Sequence, residues 1–148
     1  MNLRDCFRKR LLRRDKPDVK KGLRSLEIAS AKLEEAERAL KSDLFDAAII
    51  LSYTAVFHAA RALLFKDGIV EKSHVCLAEY LRAEYVRKGK LRAALVNTLD
   101  SLRTDRHEII YGLETKSGAR EAEFAVRKAQ EFLEAANETF GAKSSVSA

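Results

Sequence analysis

The residues best suited to chemistry lie in one segment, which reads as an amphipathic helix over residues 91–111. Its apolar stripe comprises Leu91, Leu95, Leu99, Leu102, Ile109 and, just beyond the helix, Leu113. Arg106 occupies the position at which this stripe would continue with another leucine. Because burying an unpaired guanidinium is very costly, the spacing predicts that Arg106 is ion-paired or lines a cleft.

Three further side chains, those of Arg103, His107 and Tyr111, follow at four-residue steps on the neighbouring stripe of the same helix. Guanidinium groups bind phosphates, and an imidazole can transfer protons near neutral pH. The cluster therefore indicates a ligand that carries a phosphate. The alternative is structural, with Arg106 paired to a buried acid on a facing helix. In that case Arg103 would pair with Asp100 or Glu108 of its own helix, and His107 would lie exposed at the flank.

Neither of the other two histidines is assigned to a functional site. His58 lies inside an apolar segment and is expected to be a hydrogen-bonded core residue. His74 falls in the first turn of a helix, where a neutral imidazole needs no special role. The sequence contains no glycine-rich phosphate loop, zinc-ligand spacing or nucleophile elbow, so we expect no metal and no other cofactor.

The element that must position these residues is the segment AAIILSYTAVFHAA, residues 47–60, which contains no charged side chain although 34% of the chain is charged. A helix that is apolar nearly all the way round is surrounded by other protein. The segment is too short to span a bilayer, which needs about 20 apolar residues. It is therefore predicted to be the centre of a helical domain.

The remaining pattern predicts five helices and no strand. They cover residues 17–41, a second helix capped by Ser42 or Asp43 and running to 66, then 74–88, 91–111 and 119–140. Short connections favour antiparallel neighbours, so the fold class is all-α, an up-and-down four-helix bundle with an additional short helix. The bundle takes residues 17–140, between a basic arm at 1–16 and a small polar tail at 141–148 that we expect to be disordered.

Net charge is concentrated in the arm. Of the formal +6, residues 1–16 carry +5, so the rest is almost neutral. Such an arm is typical of contact with nucleic acid, or it is a solvated leader that folds back through Leu3, Phe7 and Leu11. The two cysteines, Cys6 and Cys76, form no metal spacing and indicate a reducing compartment without disulfides. With no signal peptide visible, we expect a cytoplasmic protein.

Three sequence motifs resemble a known family. SYTAVFHAARALL, KSH after a glycine-containing loop, and RTDRHEIIYG about thirty residues later are similar to the small prokaryotic HEPN proteins. The resemblance implies a HEPN-like four-helix bundle with a shorter extra helix, and a homodimer whose sites lie near the interface. It also implies a metal-independent ribonuclease or a nucleotide-binding module, often a toxin encoded beside a minimal nucleotidyltransferase.

The family's catalytic pattern is an arginine, a polar residue, and a histidine four to six residues after the arginine. Arg106 fits the arginine and His107 the polar neighbour, but Tyr111 stands at the histidine position. A phenol with an ordinary pKa near 10 is a poor general base at neutral pH. The motif therefore favours a dimeric module that binds RNA or a nucleotide through Arg103 and Arg106, beside a nucleotidyltransferase partner.

Two alternatives remain open from the sequence. One is an active ribonuclease toxin, in which Arg106, His107 and Tyr111 are the catalytic residues. The other is a purely structural helical dimer.

Overall fold

The computed structural model describes residues 1–113 and 117–141. Its elements are α1 (Leu3–Arg8), β1 (Leu12–Arg14), α2 (Val19–Lys41), α3 (Phe45–Asp67), β2 (Ile69–Glu71), α4 (His74–Leu81) with a π-helical turn (Arg82–Val86), α5 (Ala93–Tyr111) and α6 (Ala119–Phe140). The predicted all-α fold class is confirmed. The predicted tail beyond residue 141, and part of the turn before α6, lie outside the described residues.

Helix α3 is the centre of the fold, as its lack of charge predicts. It packs against α2, α5 and α6, so that these four helices form the bundle. Five of its alanines, among them Ala55, Ala59 and Ala62, have no exposed surface and let the neighbouring backbones approach closely. Because only residues 42–44 join α2 to α3, these two helices run antiparallel.

By length and composition α3 is also the one helix, within the described parts of the chain, that could cross a membrane. Length therefore does not exclude a membrane span, because the helix has 23 residues rather than the fourteen of the uncharged segment. Its burial explains the apolar character instead. Of its most apolar 18-residue window, 67% is buried inside the protein, as in the core helix of a bundle.

The start of α3 differs from the prediction. Ser42 ends α2 as its C-cap. Asp43 has a φ of +59°, and the N-cap is Leu44, whose side chain makes no capping bond. A left-handed residue cannot serve as an N-cap, which has extended backbone. The predicted cap at Ser42 or Asp43 is therefore wrong by one to two residues.

The predicted helix 74–88 is α-helical only to Leu81 and continues as the π-helical turn. The cap of α4 is confirmed, since the Ser73 side chain accepts from the Cys76 amide at 3.2 Å. Tyr80 and Tyr85 both donate to Asp67 Oδ2, at 2.9 and 2.7 Å. Residues five apart diverge on an α-helix, and the wider π turn brings the two hydroxyls to the same carboxylate.

The N-terminal segment contains a strand, so the expectation of none is wrong. β1 pairs antiparallel with β2, with Leu12 opposite Glu71. Three residues are too few to show a two-residue alternation in the sequence. Leu3, Phe7 and Leu11 pack against the core, as in the alternative of a leader that folds back. The boundary at residue 16 stays a prediction.

The cysteine prediction is also wrong. Cys6 of α1 and Cys76 of α4 form a disulfide across 70 residues of sequence, with their Cα atoms 5.7 Å apart. Sequence spacing alone cannot show such a pairing, because the two residues meet only through the tertiary fold. The bond joins the N-terminal segment to the helix that begins with His74.

Candidate functional site

Helix α5 directs two of the predicted residues, Arg103 and Arg106, towards α3 and α4. Residues three apart are neighbours on an α-helix, which accounts for their common side. The guanidinium carbon of Arg106 lies 5.7 Å from the centre of the Tyr53 ring, within the range of a cation–π contact. Tyr53 belongs to α3 and is only 2% exposed. Arg106 is therefore half-buried against the wall of the core.

Arg106 is not neutralised by a neighbouring acid. In residues 1–113 and 117–141, no carboxylate forms an ion pair with it, so the buried acid of the structural alternative is not observed there. Arg103 does pair with Asp100, as the structural alternative predicts, although its Nη2 lies 3.9 Å from Asp100 Oδ1. Asp100 itself is bound by Arg82. The positive charge beside Tyr53 is thus available to an anionic ligand.

His74, from the first turn of α4, completes this site. Its Nδ1 is hydrogen-bonded to the Tyr53 hydroxyl. Its ring stacks on Phe57 with the ring centres 4.4 Å apart, and Phe57 lies one helical turn after Tyr53. We refer to Tyr53, Phe57, His74, Arg103 and Arg106 as the Arg106 cluster.

Burial and positive charge set the protonation of the cluster. Burial raises the pKa of Tyr53 to about 12, against the opposing effect of Arg106 and Arg103. Burial also lowers the pKa of His74, and the charges of Arg106, Arg103 and Arg61 lower it further. At neutral pH the phenol therefore keeps its proton and the imidazole is uncharged. The hydroxyl can donate to Nδ1, which leaves the imidazole proton on Nε2.

This arrangement is suited to binding rather than to proton transfer. Two guanidinium groups can hold the oxygens of a phosphate, and arginine is well matched to that geometry. The His74 ring, which is stacked on Phe57, adds an aromatic face of the kind on which a base can stack. A neutral His74 whose pKa is lowered is a weak acid at neutral pH, because it carries no excess proton to give.

Arg61 shows what a structural arginine looks like in the same protein. Its Nε lies 3.0 Å from Oε1 of Glu71, whose side chain is only 3% exposed. The guanidinium also lies 5.2 Å from the Phe57 ring centre and 5.0 Å from that of Phe65. Arg61 therefore neutralises a buried acid and completes a packed layer, whereas Arg106 has no such partner in the described chain.

His58 is half-buried rather than a hydrogen-bonded core residue. Its Nδ1 is buried and has no hydrogen-bond partner in the described residues. Its ring meets Phe57 edge-on at 5.5 Å. Burial lowers the pKa of His58, and Arg61 and Lys32 lower it further, so that the imidazole is neutral. The hydrogen bond expected for His58 is therefore not observed at Nδ1.

His107 and Tyr111 lie on the outer side of α5. Their ring centres are 4.8 Å apart, as the four-residue step predicts, but His107 is exposed and Tyr111 is 68% exposed. Successive residues of an α-helix point about 100° apart, so His107 turns away from the face on which Arg106 meets Tyr53. The structure thus brings Arg103 and Arg106 together with α3 and α4, and leaves His107 and Tyr111 as a separate exposed pair.

Three members of the cluster, Tyr53, Phe57 and His74, were not identified as site residues from the sequence. A signal for two of them was present, because Tyr53, Phe57 and Arg61 recur at four-residue steps and so share one face of α3. His74 required the tertiary fold. The described residues contain no group of three or more His, Cys, Asp or Glu side chains placed to hold a metal ion.

Comparison with known proteins adds to this geometry. The sequence model of the HEPN domain matches residues 23–139. A protein of Methanocaldococcus jannaschii named "Putative toxin MJ0142" is 25% identical over 108 residues, which are 73% of this chain and 74% of that protein's length. The matched region includes α3, α4 and α5, which carry the Arg106 cluster.

Proposed function

The chain belongs to the HEPN family, and from that premise we propose that it is a dimeric RNA- and nucleotide-binding module whose phosphate site is the Arg106 cluster. Arg106 and Arg103 bind the phosphate, and the rings of Phe57 and His74 contact the base or sugar beside it. The relative named as a toxin supports a toxin-type role in the cell. A minimal nucleotidyltransferase is the proposed partner.

The observation that carries this proposal is the environment of Arg106. Its half-buried guanidinium is held above Tyr53 with no carboxylate to neutralise it in the described residues. A buried or partly buried charge is costly unless an opposite charge or a hydrogen-bonding group compensates it. The Arg61–Glu71 pair shows that this fold supplies an acid where an arginine is structural. A phosphate is the natural counter-charge for Arg106.

Dimerisation would use the end of α5. Three large apolar side chains are exposed there: Ile110 at 43%, Tyr111 at 68% and Leu113 at 100%. Large apolar side chains exposed together at a helix end are typical of a protein–protein contact. In a two-fold dimer formed through these residues, the His107–Tyr111 pairs of both copies come close together, and each Arg106 cluster lies about one helical turn away.

A ribonuclease is the second candidate, and the His107–Tyr111 pair is the observation that favours it. The two rings are exposed and their centres are 4.8 Å apart, and His107 directly follows Arg106 in the sequence. In this candidate Arg106 stabilises the charge on the scissile phosphate and His107 transfers a proton, while Tyr111 donates a hydrogen bond. Binding remains the first proposal because the Arg106 and His107 side chains point to different sides of α5.

A cytoplasmic location is part of the proposal, because RNA and nucleotides are cytoplasmic ligands. The Cys6–Cys76 disulfide is unusual in that compartment, except in proteins of hyperthermophiles. The composition agrees with that exception, since 34% of the chain is charged and it contains only four Asn and Gln residues.

The test is equilibrium binding of a labelled 20-nucleotide single-stranded RNA, with Arg106→Ala beside Arg87→Ala. Arg87 is exposed in the turn after the π-helical segment and serves as the control for removing one charge. Loss of a charge-assisted contact costs about 1.5–3 kcal/mol, so Arg106→Ala should weaken binding about 10- to 100-fold. The Arg87 variant should bind within about twofold of the wild type, as a distant surface charge would.

The same samples separate binding from cleavage. RNA left intact by the wild type in the presence and absence of EDTA supports the binding module. Cleavage that persists in EDTA and disappears in both Arg106→Ala and His107→Ala supports the ribonuclease instead. RNA affinity that is the same for wild type and Arg106→Ala would reject the phosphate site, and absence of RNA binding by the wild type would leave a structural dimer.

A further inference from the structure

A second positively charged surface lies on the N-terminal segment, away from the Arg106 cluster. The side chains of Arg4, Arg10, Arg13 and Arg14, with Phe7 and Leu12 between them, line one open cavity of about 490 Å³. This segment carries nearly all of the protein's net charge, because residues 1–16 sum to +5 of the total +6. We call these four arginines the arm arginines.

The arm arginines form almost no ion pairs within the described residues. Arg13 has the single ion pair among them in the described residues, with Asp15 at 3.9 Å, and both side chains are more than half exposed. Such an exposed and distant pair contributes little. The guanidinium carbon of Arg14 lies 4.6 Å from the centre of the Phe7 ring, so an aromatic face and a fixed cation stand side by side.

The surface is held in place by the fold. The Cys6–Cys76 disulfide attaches α1 to α4, and the pairing of β1 with β2 fixes the backbone that carries Arg13 and Arg14. The Leu11 carbonyl accepts from the Lys72 amide at 2.9 Å, which extends this attachment. A charged surface that is already ordered loses less conformational entropy on binding than a flexible tail would.

The surface also lies beside the first turn of α4. Cys76, the residue bonded to α1, comes two residues after His74 on α4, and residues two apart on an α-helix point about 200° apart. The disulfide therefore attaches α1 on the side of α4 that faces away from the Arg106 cluster. Because a helix is only about 10–12 Å across, a strand of several nucleotides bound to the arm arginines can pass around α4 to Arg106. A single nucleotide is too small to occupy both places at once.

We propose that the arm arginines bind the phosphate backbone of single-stranded RNA, and that another nucleotide of the same strand occupies the Arg106 cluster. Four guanidinium groups match a chain of phosphates. The inference rests on the proposed function for the occupant of the Arg106 cluster. It extends that function by making the ligand a strand of RNA rather than a free nucleotide.

The experiment measures RNA affinity against salt concentration for the full chain with its disulfide intact. The probe is the labelled 20-nucleotide RNA, and the variant replaces the arm arginines together: Arg4→Gln, Arg10→Gln, Arg13→Gln and Arg14→Gln. A matched control removes four exposed cations from other surfaces: Arg38→Gln, Lys41→Gln, Arg87→Gln and Arg127→Gln. A third variant changes the arm arginines to lysine, which keeps the charge. Circular dichroism and the melting temperature check that each variant is folded.

The arm variant should bind at least tenfold more weakly at moderate salt. Its slope of log affinity against log salt should fall by about 2 to 3, since each phosphate contact on a single strand contributes about 0.7. The control should keep the wild-type slope, and the lysine variant should retain most of it. An unchanged affinity and slope in the arm variant would overturn the inference. Equal displacement of the probe by polyglutamate and by unlabelled RNA would also overturn it, because the surface would then accept any polyanion.

Binding of a fluorescent ATP analogue separates this inference from the proposed function. The arm variant should bind the analogue as the wild type does, whereas Arg106→Ala should lose it. If RNA binding depends on the arm arginines but not on Arg106, the surface stands and the proposed phosphate site fails. If the wild type binds the analogue through Arg106 but binds no RNA, the inference fails and the nucleotide site stands.

Discussion

The Tyr53 hydroxyl is hydrogen-bonded to Nδ1 of His74, which connects the central helix α3 to the first turn of α4. The bond fixes the imidazole above Phe57 and leaves the aromatic surface of the Arg106 cluster in one orientation. It also fixes the tautomer, because a phenol whose pKa is raised to about 12 keeps its proton and can donate it. The orientation of the proposed binding site therefore depends on a polar contact between two helices.

Tyr53→Phe removes this hydroxyl and should destabilise the protein by about 1 kcal/mol, the usual net value of a hydrogen bond. Because the lost bond favours the neutral imidazole, the pKa of His74 should rise in the variant. A proton NMR titration of the imidazole in the wild type and the variant measures the shift. An unchanged or lower pKa of His74 in the variant would show that the hydroxyl does not stabilise the neutral ring.

Stability should depend on pH through the two histidines with lowered pKa values, His74 and His58. An unfolded histidine has a pKa of about 6.5, so below that pH the unfolded chain binds more protons than the folded one. The stabilisation contributed by the two neutral histidines should therefore be fully present above about pH 6.5. The free energy of unfolding should decrease as the pH falls below that value. The groups opposing protonation are Arg106, Arg103 and Arg61 around His74, and Arg61 and Lys32 around His58.

Urea unfolding at about pH 7.5 and 5.5 measures this dependence. His74→Gln keeps a side chain that can accept from Tyr53 but does not titrate, so the variant should lose part of the decrease. Retention of the full wild-type decrease in the double variant His58→Gln/His74→Gln would assign the pH dependence to other groups.

Arg61→Leu should be strongly destabilising, because it leaves the Glu71 carboxylate buried without its partner. Breaking a buried pair in this way costs about 3–5 kcal/mol. The double variant Arg61→Leu/Glu71→Gln should recover part of the loss, since the remaining side chain is neutral. Urea unfolding of both variants is the measurement. Equal stability of the single and double variants would mean that the Arg61 packing, not its charge, is what the fold needs.

Reduction of the Cys6–Cys76 disulfide should lower the free energy of unfolding by about 4 kcal/mol, the loop-entropy estimate for a 70-residue separation. The measurement is urea unfolding with and without dithiothreitol. Cys6→Ser/Cys76→Ser should match the reduced wild type and should not respond to the reductant. A wild-type protein equally stable in both conditions would contradict a constraining role for this bond.

Much of the fold was predictable because the helices follow from patterns within short stretches of the sequence. The bounds of α6 agree with the pattern at both ends, and the uncharged segment identified α3 as the central helix. β1 was missed because three residues show no alternation, and the disulfide because its cysteines meet only in three dimensions. The π-helical turn accompanies the contact of Tyr80 and Tyr85 with Asp67, which sequence periodicity alone does not connect to them.

The candidate site shows the same division. Arg106 was identified from a row of leucines on one helix, and the approach of His107 to Tyr111 from a four-residue step. Both predictions use only the geometry of α5. Helix packing decides which helix the Arg106 side of α5 meets, and it brings His74 of α4 to Tyr53. Periodicity along one helix does not reveal either contact.

The central claim is that Arg106 binds a phosphate, and a comparison of adenosine with ADP tests it most directly. Titration calorimetry gives the affinity of both ligands for the wild type, Arg106→Ala and Arg106→Lys. In the wild type the phosphates should improve affinity at least tenfold, the effect of a charge-assisted contact of about 1.5 kcal/mol or more. In Arg106→Ala the two ligands should bind almost equally, with Arg106→Lys between. The same advantage of ADP over adenosine in wild type and Arg106→Ala would contradict the claim.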